Sequence, residues 1–291
     1  LKYAYAIEYD AINPLQFDPT LMVKKYPGLW CGGQICGTSG YEEAAGLGLI
    51  AGINAVLWIR NKPKFILKRD EAYIGVMIDD LVNKGTKEPY RMLSSRCEFR
   101  LLLRHDNADI RLRNYAHEFN SISEDVYNDF LLKQEREKQA IDFINKTHIG
   151  ENISLDTYLE SINSPQYRKG ISLSEIVKRP EVEFAPIIKC FDELSKMNLS
   201  VLEIEQIEVA VKYDGYIRKQ KLEADKLHKL DDIIIPADIN YLKLDGLAME
   251  ARQKLDKVRP INIGQASRIS GVNPSDIAIL NLYLTKEKKR I

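Results

Sequence analysis

The chain has 291 residues, 45% hydrophobic and 29% charged, a composition ordinary for a globular protein and long enough for about two or three folded units. Lys plus Arg and Asp plus Glu number 42 each, so the zero net charge excludes a globally basic nucleic-acid binder; any such partner must be met by a local patch. Four cysteines (Cys31, Cys36, Cys97, Cys190) make no disulfide framework and suit a reducing cytosol, and no apolar run of 18 or more residues and no signal-peptide pattern points to membrane insertion or export.

The opening "YAYAIEY" alternates Tyr3, Tyr5, Ile7 and Tyr9 against Ala4, Ala6 and Glu8, as a half-buried strand does. Because it begins on Leu1 in mid-pattern, the chain is expected to continue upstream. The run "GLWCGGQICGTSG" then leads into a helix from Tyr41 to Arg60, on which Ala44, Ala45, Gly48, Ala51, Gly52 and Ala55 form a small-residue face suited to a close neighbour. "RNKPK", Arg60 to Lys64, reads as a linker. In Glu71 to Val82 the residues Tyr73, Ile74, Met77, Ile78, Leu81 and Val82 recur at the spacing of one helix face, with Gly85 placed to end it. "YNDFLLKQEREKQAIDFIN" predicts a second, charged amphipathic helix. From Ile204 through Ile207, Val211 and Ile217 one long helix is expected to reach Leu230, broken afterwards by Pro236. "IGQASRISGVNPSDIAILNLYL" predicts helix, turn at Gly271, and a helix with Asn273 as N-cap and Pro274 at its first position. Composition divides the chain into residues 1–62, 63–200 and 201–291.

Two features carry candidate chemistry. A glycine loop feeding a helix N-terminus offers backbone N–H groups and a positive helix end, which suit a phosphate or an anionic flavin ring; a tight strand-to-helix turn explains it equally well. The dinucleotide fingerprint is missing, since "GLGLIAG" has the wrong spacing and sits inside the helix. The second feature is a basic segment, Lys84 to Arg113, with eight Lys and Arg against four acidic residues. Ser95 with Glu98 suggests a helix cap there, whereas Cys97, Phe99, Leu101 and Leu103 alternate as a strand would; either element puts Arg96, Arg100 and Arg104 on one face. That face is a phosphate grip or a set of structural ion pairs with Glu98, Asp106 and Asp109. Tyr90 and Phe99 are candidates for stacking on an extruded base, with core packing the plainer fate of Phe99. The four histidines share no ligand spacing, and no metal site is expected. The terminal helix pair has the outline of a helix-turn-helix, but "PSDIAILNLYL" is too apolar to read bases, which leaves a helical docking surface.

The segments "YAIEYD", "GLWCGGQICGTSGYEEAAGLGLIAGINA", "DDLVNKGTKEPYRMLSSRCEFRLLLRHDNADIRL", "VKYDGYIRKQ" and "IGQASRISGVNPSDIAIL" occur in the same order as the signature segments of the MnmG/GidA family of tRNA uridine 5-carboxymethylaminomethyl modification enzymes. Nearly all of the chain resembles the C-terminal half of that family's proteins. The resemblance implies a mainly α fold with a small α/β part: the closing segment of a glutathione-reductase-like FAD-binding domain, then a helical C-terminal domain. It implies FAD contact at Gly33 and Gln34, with Thr38, Gly40 and Glu42 nearby, and tRNA contact at Arg96, Arg100 and Arg104. It further implies NADH as reductant, methylenetetrahydrofolate as carbon donor, a terminal module that engages the GTPase MnmE, a homodimer within a heterotetramer, and a cytoplasmic setting without a membrane. The fragment alone is expected to be inactive, and its catalytic residues stay unassigned. Two rival classes remain, a non-catalytic tRNA- and partner-binding module and a flavin disulfide oxidoreductase using the C-x4-C pair Cys31 and Cys36.

Overall fold

The computed structural model describes residues 8–288, so the strand expected over Tyr3–Tyr9 lies almost wholly outside the described residues. The described chain is predominantly helical, as expected, and its extended backbone pairs through isolated bridges, among them Phe17 with Val23, Met22 with Trp30 and Thr38 with Tyr90. In chain order the helices are α1 (Tyr41–Ile59), α2 (Tyr73–Lys84), α3 (Ala108–Glu118), α4 (Glu124–Lys146), α5 (Ile153–Ser161), α6 (Leu173–Val177), α7 (Phe184–Ile188), α8 (Asp192–Ser195), α9 (Val201–Lys212), α10 (Asp214–Asp231), α11 (Met249–Val258), α12 (Ile263–Arg268) and α13 (Pro274–Lys288).

Two compact units form: residues 1–100 with 222–291, and residues 101–221. This grouping differs from the composition-based division, because the first and last stretches of the chain share one unit and the basic segment is divided after Arg100. In the first unit, Leu47 and Ile50 of α1 bury against Met77, Ile78, Leu81 and Val82 of α2, with Phe17, Leu21 and Tyr90 closing the core. Glycine is required at position 32 because a Cβ there would come within 2.9 Å of Gly48 Cα on α1. The small-residue face of α1 is otherwise not the packed one: Ala45, Gly48 and Gly52 are exposed, and the buried stripe is Glu43, Gly46, Leu47, Ile50, Ala51 and Asn54.

By length and composition alone α1 could cross a membrane. Its buried Asn54, however, donates to the Ile50 and Phe65 carbonyls and accepts the Phe65 N–H, so the face of α1 that carries Asn54 and the buried Glu43 is packed against protein. A second cluster in the same unit joins Tyr241, Ala251, Leu255, Ile263, Ala266 and Leu280.

The second unit has its own core, built from Ala140 and Ile144 of α4, Leu155 and Leu159 of α5, and Ile207 and Val211 of α9. Its α9 opens on a capping box: Ser200 Oγ accepts the Glu203 N–H and the Glu203 carboxylate accepts the Ser200 N–H. The single helix expected up to Leu230 is two helices, because α9 ends at Lys212 and α10 begins at Asp214. The apolar spacing is continuous across Tyr213, so sequence periodicity alone did not mark the break.

Candidate functional site

The glycine loop is held in shape by its backbone. Gly33 has φ +86° and Gly37 has φ +88°, conformations open to glycine, and between them Gln34–Cys36 makes one 3-10 turn. The Gly37 carbonyl accepts the Tyr90 N–H at 2.8 Å, the Tyr90 carbonyl accepts the Ser39 N–H at 3.2 Å, and Tyr9 donates its hydroxyl to the Thr38 carbonyl at 2.9 Å. Thr38 is fully buried, with its hydroxyl turned to the Gly33 carbonyl at 3.4 Å. Gln34 and Glu42 are exposed and Gly33 half-buried.

Gly40 is the N-cap of the 19-residue helix α1 and, being glycine, supplies no side-chain cap to its first-turn N–H groups. Glu43 is 6% exposed; its Oε1 accepts the Met92 N–H at 2.8 Å, and its Oε2 is buried with no hydrogen-bond partner against the Gly40 backbone. Sequence reasoning passed over Glu43, whose twin Glu42 carries the same pattern; only packing separates them. Burial raises the thiol pKa of both Cys31 and Cys36, the latter to about 12 with the neighbouring Cys31 adding to the effect, so the pair is held as thiols.

The three arginines have different fates. The segment from Ser94 to Leu103 is a short 3-10 turn followed by irregular chain, so the argument that one regular element aligns Arg96, Arg100 and Arg104 does not hold. Glu98, expected to cap a helix, instead accepts from Arg69 at 2.9 Å. Arg104, in the second unit, grips Asp106 in a fork at 3.0 Å and donates to the Leu101 carbonyl at 2.7 Å. Its charge is spent on an internal ion pair, the structural alternative. Arg96 and Arg100, in the first unit, are exposed, and neither has a carboxylate within ion-pair reach among the described residues.

Tyr90 and Phe99 are each 3% exposed and unavailable for stacking on a base. The Tyr90 hydroxyl donates to Asp80 at 3.0 Å, and its ring carries the Arg96 guanidinium 4.4 Å from the centroid. Beneath lies Arg69, which sequence reasoning missed because "KRDEAY" reads as a solvated charged turn: it is 6% exposed and bonds Asp79, Asp80, Glu98 and the Arg96 carbonyl.

Three family models match the chain: glucose inhibited division protein A over residues 1–63, the tRNA modifying enzyme MnmG/GidA C-terminal helical domain over 124–221, and its C-terminal helical bundle over 223–291. The chain belongs to the MnmG/GidA family. Among MnmG/GidA relatives, the tRNA uridine 5-carboxymethylaminomethyl modification enzyme MnmG of Lactobacillus johnsonii is 51% identical over 284 residues, 98% of this chain and 45% of the relative. The enzyme of the same name from Clostridium botulinum strain Hall is 49% identical over 289 residues, 99% of this chain and 46% of the relative. Aquifex aeolicus GidA in its form II crystal superimposes with a TM-score of 0.77 at 37% identity, covering 94% of this chain and 43% of that one. The chain thus spans less than half the length of these MnmG/GidA proteins.

Proposed function

We propose that this chain supplies the flavin-closing loop and an RNA-facing surface of an FAD-dependent enzyme that modifies C5 of the wobble uridine of tRNA. Support comes from MnmG/GidA membership and, above all, from one observation: in a chain of zero net charge, the exposed Arg96 and Arg100 have no acidic partner among the described residues. A surface guanidinium left unpaired is matched by phosphate, with release of a counterion.

The glycine loop fits FAD by its donors. The Gly33–Gln34 backbone, the Gln34 side chain and the uncapped α1 N-terminus would hold it. With Glu42 and Glu43 in the first turn of α1, that helix end suits a polar flavin edge better than a diphosphate. Bound there, FAD would supply redox chemistry, with NADH as its reductant and methylenetetrahydrofolate as the source of the carbon unit. The task of this chain's residues is to orient and to bind: Thr38 and Glu43 hold the loop and the helix end, and Arg96 and Arg100 hold RNA phosphates. The bundle within residues 223–291 exposes Leu242, Met249 and Leu282, apolar side chains suited to docking the GTPase MnmE, in a cytoplasmic assembly built on a homodimer.

The test is the affinity of labelled tRNA for this chain over a salt series, with Arg96→Ala/Arg100→Ala alongside. A loss of slope of about one unit for each phosphate contact removed supports the reading. Equal slopes and affinities for the two proteins sink it.

A further inference from the structure

Arg96 differs from every other exposed arginine of this segment in how it is held. Its Nε donates to the Arg91 carbonyl at 3.0 Å, its guanidinium lies over the Tyr90 ring, and its own carbonyl accepts from Arg69 Nη2 at 3.3 Å. These three ties fix the backbone, the near edge and the plane of the group. Its Nη1 and Nη2 have no protein acceptor among the described residues, and the side chain is exposed.

The platform is itself locked. Tyr90 is buried and its hydroxyl donates to Asp80, which also accepts from Arg69 at 2.8 Å and Lys84 at 2.7 Å. Freezing a free arginine ordinarily costs side-chain entropy at the moment of binding. Here the fold has met that cost in advance, for terminal N–H donors that have no protein acceptor among the described residues. Such a fork matches two oxygens of one phosphodiester.

We propose that Arg96 is a preformed phosphodiester fork and that Tyr90 is its positioning residue, holding the guanidinium plane for the RNA backbone. The proposal rests on the RNA-facing reading above and deepens it: Tyr90 acts beneath the arginine, through its ring face, rather than by stacking on a base. Arg100 has no such platform among the described residues and serves as an untethered charge.

The experiment measures tRNA affinity and salt slope for the whole chain and for Arg96→Ala, Arg96→Lys, Arg100→Ala, Tyr90→Phe and Tyr90→Leu, with the Arg96 Nε–Hε NMR resonance recorded for the wild type and both Tyr90 variants. Arg96→Ala should lose about one unit of slope, whereas Arg96→Lys should keep the slope but bind more weakly, since a point charge replaces a fork. Tyr90→Phe keeps the ring and should bind as the wild type does. Tyr90→Leu should bind about two- to five-fold more weakly and lose the ring-current displacement of the Arg96 resonance.

If Tyr90→Leu binds RNA as tightly as the wild type while Arg96→Ala or Arg100→Ala is weakened, the positioning role is overturned and the RNA surface stands. If neither arginine variant changes affinity or slope, the RNA reading falls and takes the fork with it. Should Tyr90→Leu fail to fold, the wild-type resonance decides: an undisplaced Nε–Hε signal overturns the platform.

Discussion

Replacing Arg69 with Met keeps most of the stem's volume and deletes the charge at the centre of the first unit's buried network. The side chain is 6% exposed, against 14% for Asp79, 3% for Asp80 and 46% for Glu98. The Glu98 pair is half in water and contributes little. The cost comes from Asp79 and Asp80. Each keeps other partners, Asp79 the Asn83 amide and Arg268, Asp80 the Lys84 ammonium and the Tyr90 hydroxyl, so the loss belongs at the lower end of the range for breaking a buried pair, about 3 kcal/mol.

The assay is urea unfolding read by tryptophan fluorescence, because both tryptophans, Trp30 and Trp58, lie in the first unit. The acid limb gives a second readout. Burial alone would raise the Asp80 carboxyl, but the hydrogen bond from Lys84 and the charges of Arg69 and Lys84 outweigh it and hold its pKa below the ordinary value. A lowered folded pKa gives stability that is present above the unfolded value of about 3.9 and lost as pH falls through the lowered one. Arg69→Met should therefore flatten the acid limb as well as lower stability near pH 7. A loss under about 1 kcal/mol with an unchanged acid limb would refute the reasoning.

The loop-to-helix contact and the second unit yield two more tests. Gly32→Ala places a Cβ 2.9 Å from Gly48 Cα and 3.1 Å from its nitrogen, so it should cost about 1–3 kcal/mol, whereas Gly52→Ala meets nothing within 4 Å and should be neutral or gain up to about 1 kcal/mol. Equal urea midpoints for the two variants by tryptophan fluorescence would contradict the close packing of the loop on α1. In the second unit, burial pushes the Glu137 carboxyl up to about 7 against the pull of the Lys133 charge, with Asp109 and Glu203 adding to the rise. A raised folded pKa gives stability that is complete below the unfolded value of about 4.3 and lost as pH rises through about 7. Glu137→Gln should remove that loss, so calorimetry should show a smaller decline in unfolding temperature from pH 5 to pH 8 than in the wild type; an identical decline would count against a buried, strained carboxylate.

Local chemistry made much of the chain legible. The apolar spacing of Met77, Ile78, Leu81 and Val82, the stop at Gly85, the break at Pro236 and the start of α13 at Pro274 are properties of short stretches, and the structure has them where the residues put them. Five ordered segments carried the family resemblance, since each is a long run of residues whose combination is rare.

Charge and burial were not legible in the same way. Arg96, Arg100 and Arg104 share a spacing, yet one lies on Tyr90, one has no partner among the described residues and one is locked to Asp106, because an irregular chain does not align residues by period. Twin residues Glu42 and Glu43 became an exposed and a buried carboxylate by their angular position on α1. Arg69 looked like surface charge until α2 and the Arg96 turn closed over it. Periodicity is written in neighbours along the chain, and through it the sequence marked α1, α2, α4 and α13, while the break between α9 and α10 stayed unmarked. Which charge meets which partner depends on how irregular chain and separate elements close on one another, as Arg69 meets Asp80 on α2 and Glu98, 29 positions away, and only the tertiary structure decided it.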